Sequence, residues 1–205
     1  MLANYHTHTP RCNHAVGEEQ CYVERAVEGG LKLLGFSDHT PYLFDKPGYY
    51  SSFRMRPEEL DDYVQTLQKL RTKYADRIEL HIGLEAEYYP KLFPRLLDFL
   101  RQYPVEYLIL GQHALYNEVE GIYPAQPTTD RKLLDQYLGQ TLDALDSGVF
   151  TYFAHPDLFC FEISKIQKQK TPKNIGFSRV FRWSCYPDLN RGPHPYQGCA
   201  LPAEL

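Results

Sequence analysis

Five apolar runs in the first 155 residues read as β-strands, and each leads into a side chain that can bind a metal ion. The run over residues 2–5 ends in His6-Thr7-His8, that over 33–37 in Asp38-His39, and that over 78–84 in Glu85. The run over 107–110 leads to His113, and that over 149–154 to His155. A chain that hands out imidazoles and a carboxylate from the C-terminal ends of successive strands folds most simply with those ends gathered at one mouth of a barrel.

The segments between the runs have helical spacing. Residues 18–28 form a helix stopped by Gly29-Gly30, and Pro57 with acidic Glu58 and Glu59 opens a second that reaches Tyr74. Two more are expected over residues 90–101 and 130–146, the last closed by Ser147-Gly148. Strand and helix in alternation predict an α/β fold with a parallel sheet, which right-handed crossovers curl.

Composition narrows the function classes. With 205 residues, 43% hydrophobic and 23% charged, the chain has the make-up of one soluble domain. A net charge of -4 argues against a nucleic-acid partner. Polar Asn4, His6 and His8 interrupt any signal peptide, and no run is long enough to span a membrane. Five cysteines without a C-x-x-C spacing are expected as free thiols in a cytoplasmic protein.

Each candidate ligand has an ordinary reading as well. His6 and His8, two apart, share one face of an extended segment, yet H-x-H pairs are common without a metal. His14 sits close enough in the following loop to reach the same mouth, or is simply exposed. Asp38 could cap or turn the chain with His39 in solvent. A carboxylate at Glu85, straight after an apolar run, needs a partner to offset its desolvation, and a cation is one. Glu87 points the same way and is either a rival ligand, a support for a ligating histidine, or a substrate contact. Imidazole plus carboxylate without paired thiolates suits Zn, Mn or Fe and hydrolytic chemistry. His81 lies inside the third run and reads as structural, and His194 is given no role.

Read together, Tyr5-His6-Thr7-His8-Thr9, Phe36-Ser37-Asp38-His39-Thr40-Pro41, Gly83-Leu84-Glu85-Ala86-Glu87-Tyr88, Gly111-Gln112-His113 and Ala154-His155-Pro156-Asp157-Leu158 resemble the PHP (polymerase and histidinol phosphatase) family. Within it the resemblance is nearest to the monofunctional histidinol-phosphatases, over about the first 163 residues. It implies a distorted (β/α)7 TIM-like barrel holding two or three divalent ions. His6, His8, His14, His39, Glu85, His113 and His155 would be the ligands, with Glu85 bridging and Glu85 and His39 in catalytic positions. The implied reaction hydrolyses L-histidinol phosphate, a small-molecule phosphate ester. Asp45, Tyr49, Tyr50 and Glu87 would line the substrate pocket. Arg54 is either a phosphate contact or a surface arginine.

The sequence departs from that pattern after residue 163. The Asp-x-His that the resemblance implies near the barrel's end is absent, since Asp188 and His194 stand six apart. Residues 165–205 carry seven Lys/Arg against two Asp/Glu and five of the fifteen prolines, with no period of 2 or 3.6. They are expected to be a poorly ordered tail unrelated to the family, produced by a shifted reading frame near residues 164–175. About five β-α units of the barrel are then present, and little activity is expected. Two alternatives stand beside the histidinol-phosphatase reading: a phosphoesterase acting on nucleotides or other small phosphate esters, and a non-catalytic metal-binding module.

Overall fold

The computed structural model describes residues 2–160, and these form the expected alternation. In order, the elements are β1 (Ala3–Asn4), α1 (Glu19–Glu28), β2 (Leu33–Phe36), α2 (Leu60–Lys73), β3 (Glu79–Ala86), α3 (Phe93–Leu100), β4 (Tyr107–Leu110), α4 (Arg131–Asp146) and β5 (Tyr152–Phe153). The five strands are all parallel and lie in the order β1-β2-β3-β4-β5, each paired with the next in sequence. His194 and Asp188, with the tail expected to be disordered, lie outside the described residues.

The two faces of β3 show how the sheet is used. Leu80, Ile82, Leu84 and Ala86 are buried and pack with Tyr63, Val64, Leu67 and Leu70 of α2 in the main core. His81, Gly83 and Glu85 alternate with them and face the other way. A smaller cluster of Leu115, Leu134, Tyr137 and Phe159 seats α4 against the loops that follow β4 and β5.

The sheet is curled into a half-barrel, and one tyrosine measures the curl. Three strand spacings of about 4.8 Å would put β1 and β4 roughly 14 Å apart in a flat sheet. Yet the Tyr107 hydroxyl on β4 is 2.8 Å from the Tyr5 carbonyl and 2.9 Å from that of Phe36. Gly35 and Gly83 make room, because a Cβ on either would strike the Tyr107 side chain.

Some boundaries differ from expectation. The 149–154 run pairs only at Tyr152–Phe153, and the 2–5 run only at Ala3–Asn4. Among the described residues each is an edge strand whose one neighbour limits the ladder. β3 instead runs on to Ala86, because Glu85 pairs with Ile109 of β4 and, through an isolated bridge, with His39. The second helix begins with a 3-10 turn at Pro57–Glu59, where the Glu59 carboxylate accepts from the Arg56 amide. α1 ends as expected at the double glycine: the Leu31 and Gly30 amides donate to the Ala26 and Val27 carbonyls, with Gly30 at φ 76°. No helix among the described residues is long and apolar enough to cross a membrane.

Candidate metal centre

Short backbone links carry each strand end to the same place. Beyond β1, the Ser37 amide donates to the Thr7 carbonyl, so Thr7 is buried towards the sheet while His6 and His8 share the opposite face. The Glu85 amide donates to the Asp38 carbonyl and the Thr40 amide to the Glu85 carbonyl, which sets His39 beside Glu85. The Gly111 amide donates to the Ala86 carbonyl, and the Ala154 amide to that of Leu110, which brings up His113 and His155. His155 holds φ at 33°, a strained value for a residue with a side chain.

Glu85 is the centre of the cluster and is fully buried. Its Oε2 lies 3.1 Å from His6 Nε2, 3.0 Å from His8 Nε2 and 3.4 Å from His39 Nδ1. Its Oε1 lies 2.8 Å from His155 Nε2 and 3.5 Å from His113 Nε2. His14, exposed on its loop, completes the group, its ring centroid 5.1 Å from His8 and 5.4 Å from His39. All seven residues expected as ligands are therefore brought together.

Electrostatics follow from this crowding. Burial alone would raise the Glu85 pKa, but His39, His155, His6 and His8 outweigh it and hold the carboxyl well below its usual range. Burial pushes His39 well below the ordinary imidazole value, so its ring stays neutral with a free lone pair. Burial also opposes the charged form of His8 and His113. Glu85 overrides it at His8, and Glu87 with Glu85 at His113, so both pKa values are raised. His14, exposed at its surface but crowded by the rings on its inner side, is lowered by that desolvation and by the neighbouring His8.

The donor set fits divalent ions. His39 Nδ1 is buried and has no hydrogen bond although it faces Glu85, and His6 Nε2 stands only 3.0 Å from His8 Nε2. Ligand atoms about 2.1 Å from one ion lie roughly 3–3.4 Å from each other, the spacing found here. Among the described residues four groupings offer converging ligand atoms: His8, His14 and His39; His6, Glu85 and His155; His39, Glu87 and His113; and His8, Cys12 and Asp38.

The residues expected to meet substrate have varied places. Arg54 is not a surface arginine: its side chain is 1% exposed. Its guanidinium donates to both Glu87 oxygens, to Glu118 and to the Thr40 carbonyl, because a buried cation must be paired. Glu87 is likewise buried, with Arg54 on one side and His113 Nδ1 at 2.8 Å on the other. Asp45 pairs with Arg95 in solvent, Tyr49 donates to Glu118, and Tyr50 is exposed under the Arg56 guanidinium. His81, two side-chain steps below Glu85 on the same face of β3, pairs with Glu79 and Glu106 and has the structural place expected.

Asp38 neither caps a helix nor leaves His39 exposed, because no helix starts there and His39 is buried. Its carboxylate accepts from the Thr9 amide and hydroxyl, each at 2.6 Å, and from the Cys12 thiol at 2.9 Å. Cys12 Sγ in turn accepts from the His39 amide, tying the His6–His14 loop to the end of β2. The only hint in the sequence was a carboxylate standing directly before a histidine at a strand end.

Comparisons with known proteins bear on the family and the fold. The PHP domain pattern matches residues 4–177. A probable histidinol-phosphatase of Deinococcus radiodurans is 30% identical over 162 residues, covering 77% of this chain and 61% of its own length. A histidinol-phosphatase of Lactococcus lactis is 24% identical over 112 residues, covering 55% of this chain and 39% of its own length. Among solved structures, the Lactococcus lactis histidinol phosphate phosphatase, complexed with zinc, L-histidinol and phosphate, has a TM-score of 0.61 at 24% identity. That match covers 76% of this chain and 58% of the other. A putative histidinol phosphatase of Listeria monocytogenes has a TM-score of 0.52 at 20% identity, covering 71% and 60%. The chain thus spans less than two thirds of the length of these relatives.

Proposed function

The chain belongs to the PHP domain family, and on that premise we propose that its histidine–carboxylate cluster is the divalent-metal centre of a phosphatase acting on L-histidinol phosphate, in histidine biosynthesis. The observation that carries this is the single buried carboxylate of Glu85 touched by five imidazoles. Zn, Mn or Fe held there would polarise phosphoryl oxygens and make water a stronger nucleophile at neutral pH.

This chain's residues divide the work. Glu85 turns one oxygen to His6, His8 and His39 and the other to His113 and His155, so both oxygens would be open to ions held among these rings. His39, neutral by burial, offers a lone pair without first losing a proton. Glu87 accepts from His113 Nδ1 and leaves His113 Nε2 directed at Glu85. His6 and His155, with side chains 28% and 31% exposed, form the rim that meets the phosphate. Cys12 and Cys21 form no disulfide among the described residues.

A second reading is a metal-binding module with little turnover, since the clustered donors would hold cations whatever the substrate. The test is phosphate release by the full chain from L-histidinol phosphate, nucleoside monophosphates and a generic aryl phosphate, with Zn²⁺, Mn²⁺ or Fe²⁺ added. Preferred turnover of L-histidinol phosphate is expected. Preference for nucleotides would replace the substrate, and stoichiometric metal without turnover would favour the module.

Gly111→Ala probes the centre without removing a ligand. A methyl group there collides with Glu85 Oε1 and comes 2.7 Å from His113 Cε1. Metal affinity is expected to fall about 10–100-fold, the size seen when ligand orientation is lost. Equilibrium dialysis against Zn²⁺ checks this, with circular dichroism showing an intact fold.

A further inference from the structure

We propose that Arg54 is a positioning residue for the metal centre: through Glu87 it fixes the orientation and tautomer of His113, and through Glu118 it clamps the loop after β2 to the loop after β4. The proposal rests on the metal-centre reading above.

The geometry is a chain of directed contacts. Arg54 Nη1 and Nη2 donate to Glu87 Oε2 and Oε1, both at 3.0 Å, in a two-pronged pair. Glu87 Oε1 has one further acceptor site, and it is filled by His113 Nδ1 at 2.8 Å. An ionised carboxylate can only accept, so Glu87 keeps a proton on His113 Nδ1 and leaves Nε2, which faces Glu85, as the nitrogen that would bind a metal ion. The two-pronged pair with Arg54 fixes the plane of the buried Glu87 carboxylate and so aims its Oε1 at His113. Without the fork the carboxylate can turn, and neither the ring orientation nor the tautomer of His113 is then specified.

The same guanidinium reaches two further elements. Its Nε donates to Glu118 Oε2 at 2.7 Å, while Glu118 Oε1 accepts from the Tyr49 hydroxyl at 2.6 Å. Arg54 and Tyr49 belong to the loop after β2, and Glu118 to the loop after β4. Nη1 also donates to the carbonyl of Thr40, the residue after His39. The Phe53 ring lies 4.4 Å from the guanidinium carbon and closes it from water. One cation therefore touches the backbone beside His39, the carboxylate behind His113 and the opposite loop. Lysine could supply the charge but not the fork.

The test measures Zn²⁺ affinity by competition with a chromogenic chelator, and the His113 tautomer by ¹⁵N NMR of histidine-labelled protein. Arg54→Met is expected to weaken Zn²⁺ binding about 10–100-fold, with Arg54→Lys in between. Glu87→Gln should weaken it as much as Arg54→Met, and the double variant should be no worse than either single one, because both act along one path. The Nδ1–H signal of His113 should give way to a mixture of tautomers in Arg54→Met and Arg54→Lys alike. Should Arg54→Met fail to fold, Arg54→Lys and Glu118→Gln carry the same readouts. Wild-type binding that Arg54→Lys leaves within threefold, with an unchanged tautomer, overturns this inference alone. No Zn²⁺ binding by the wild type overturns the metal centre and the inference together.

Discussion

Glu85→Gln is expected to abolish tight divalent-metal binding, well beyond the roughly 10–100-fold that losing an outer supporting group costs. Glutamine keeps the shape but loses the charge, and it replaces one acceptor oxygen with a donating NH₂. Both carboxylate oxygens now face imidazole nitrogens between 2.8 and 3.5 Å away. The amide can serve only one side of the cluster, so the bridge between the two sides is broken. The side chain is fully buried, which leaves no room for it to swing out and let water substitute. Titration calorimetry with Zn²⁺ and Mn²⁺ decides the matter, and affinity within tenfold of wild type would refute the central place given to this residue. Turnover of any phosphate ester should disappear in parallel.

Acidification is expected to strip the metal before it unfolds the chain. A protonated imidazole has no lone pair to give, so affinity rises with pH, and release should take up about two or more protons between pH 7.5 and 5.5. His8 and His113 lead, because neighbouring carboxylates raise their pKa against the pull of burial and let protons compete above the ordinary 6.5. His39 and His14 resist, both lowered chiefly by burial.

The fold without metal responds differently over the same range. The lowered pKa of His39 contributes stability that is lost as pH falls below 6.5, where the unfolded chain binds the proton more readily. The raised values of His8 and His113 contribute stability fully present below 6.5 and lost as pH rises through their folded values. Glu85, held low, loses its contribution only in stronger acid. These opposed effects should leave the apoprotein's denaturation midpoint nearly level while Zn²⁺ affinity drops. A flat affinity profile from pH 7.5 to 5.5 would contradict imidazole ligation.

Much of this was legible in the residues alone. The alternation of apolar runs and helical periods gave the parallel order, and the polar residue closing each run gave the cluster, because a parallel sheet aligns all its C-terminal ends. What stayed hidden depended on partners distant in sequence. Arg54 finds Glu87 33 positions away and Glu118 64 positions away, with no local pattern to announce either. Asp38 meets Thr9 and Cys12 at separations of 29 and 26. Edge-strand lengths were overread for a related reason. Tyr152–Phe153 pairs only as far as its neighbour's ladder allows, whatever the apolar run around it suggests.

Tyr107 carries a mechanical consequence for the chemistry two residues further along the sheet. Its phenol acts as a strut between the fourth strand and the chain leaving the first, seated over two positions that lack a side chain. The distance across the open end, where His6 and His155 approach Glu85 from opposite margins, is therefore set partly by the length of one aromatic ring. Shortening that strut would loosen the grip on a cation while every ligand remained in the sequence.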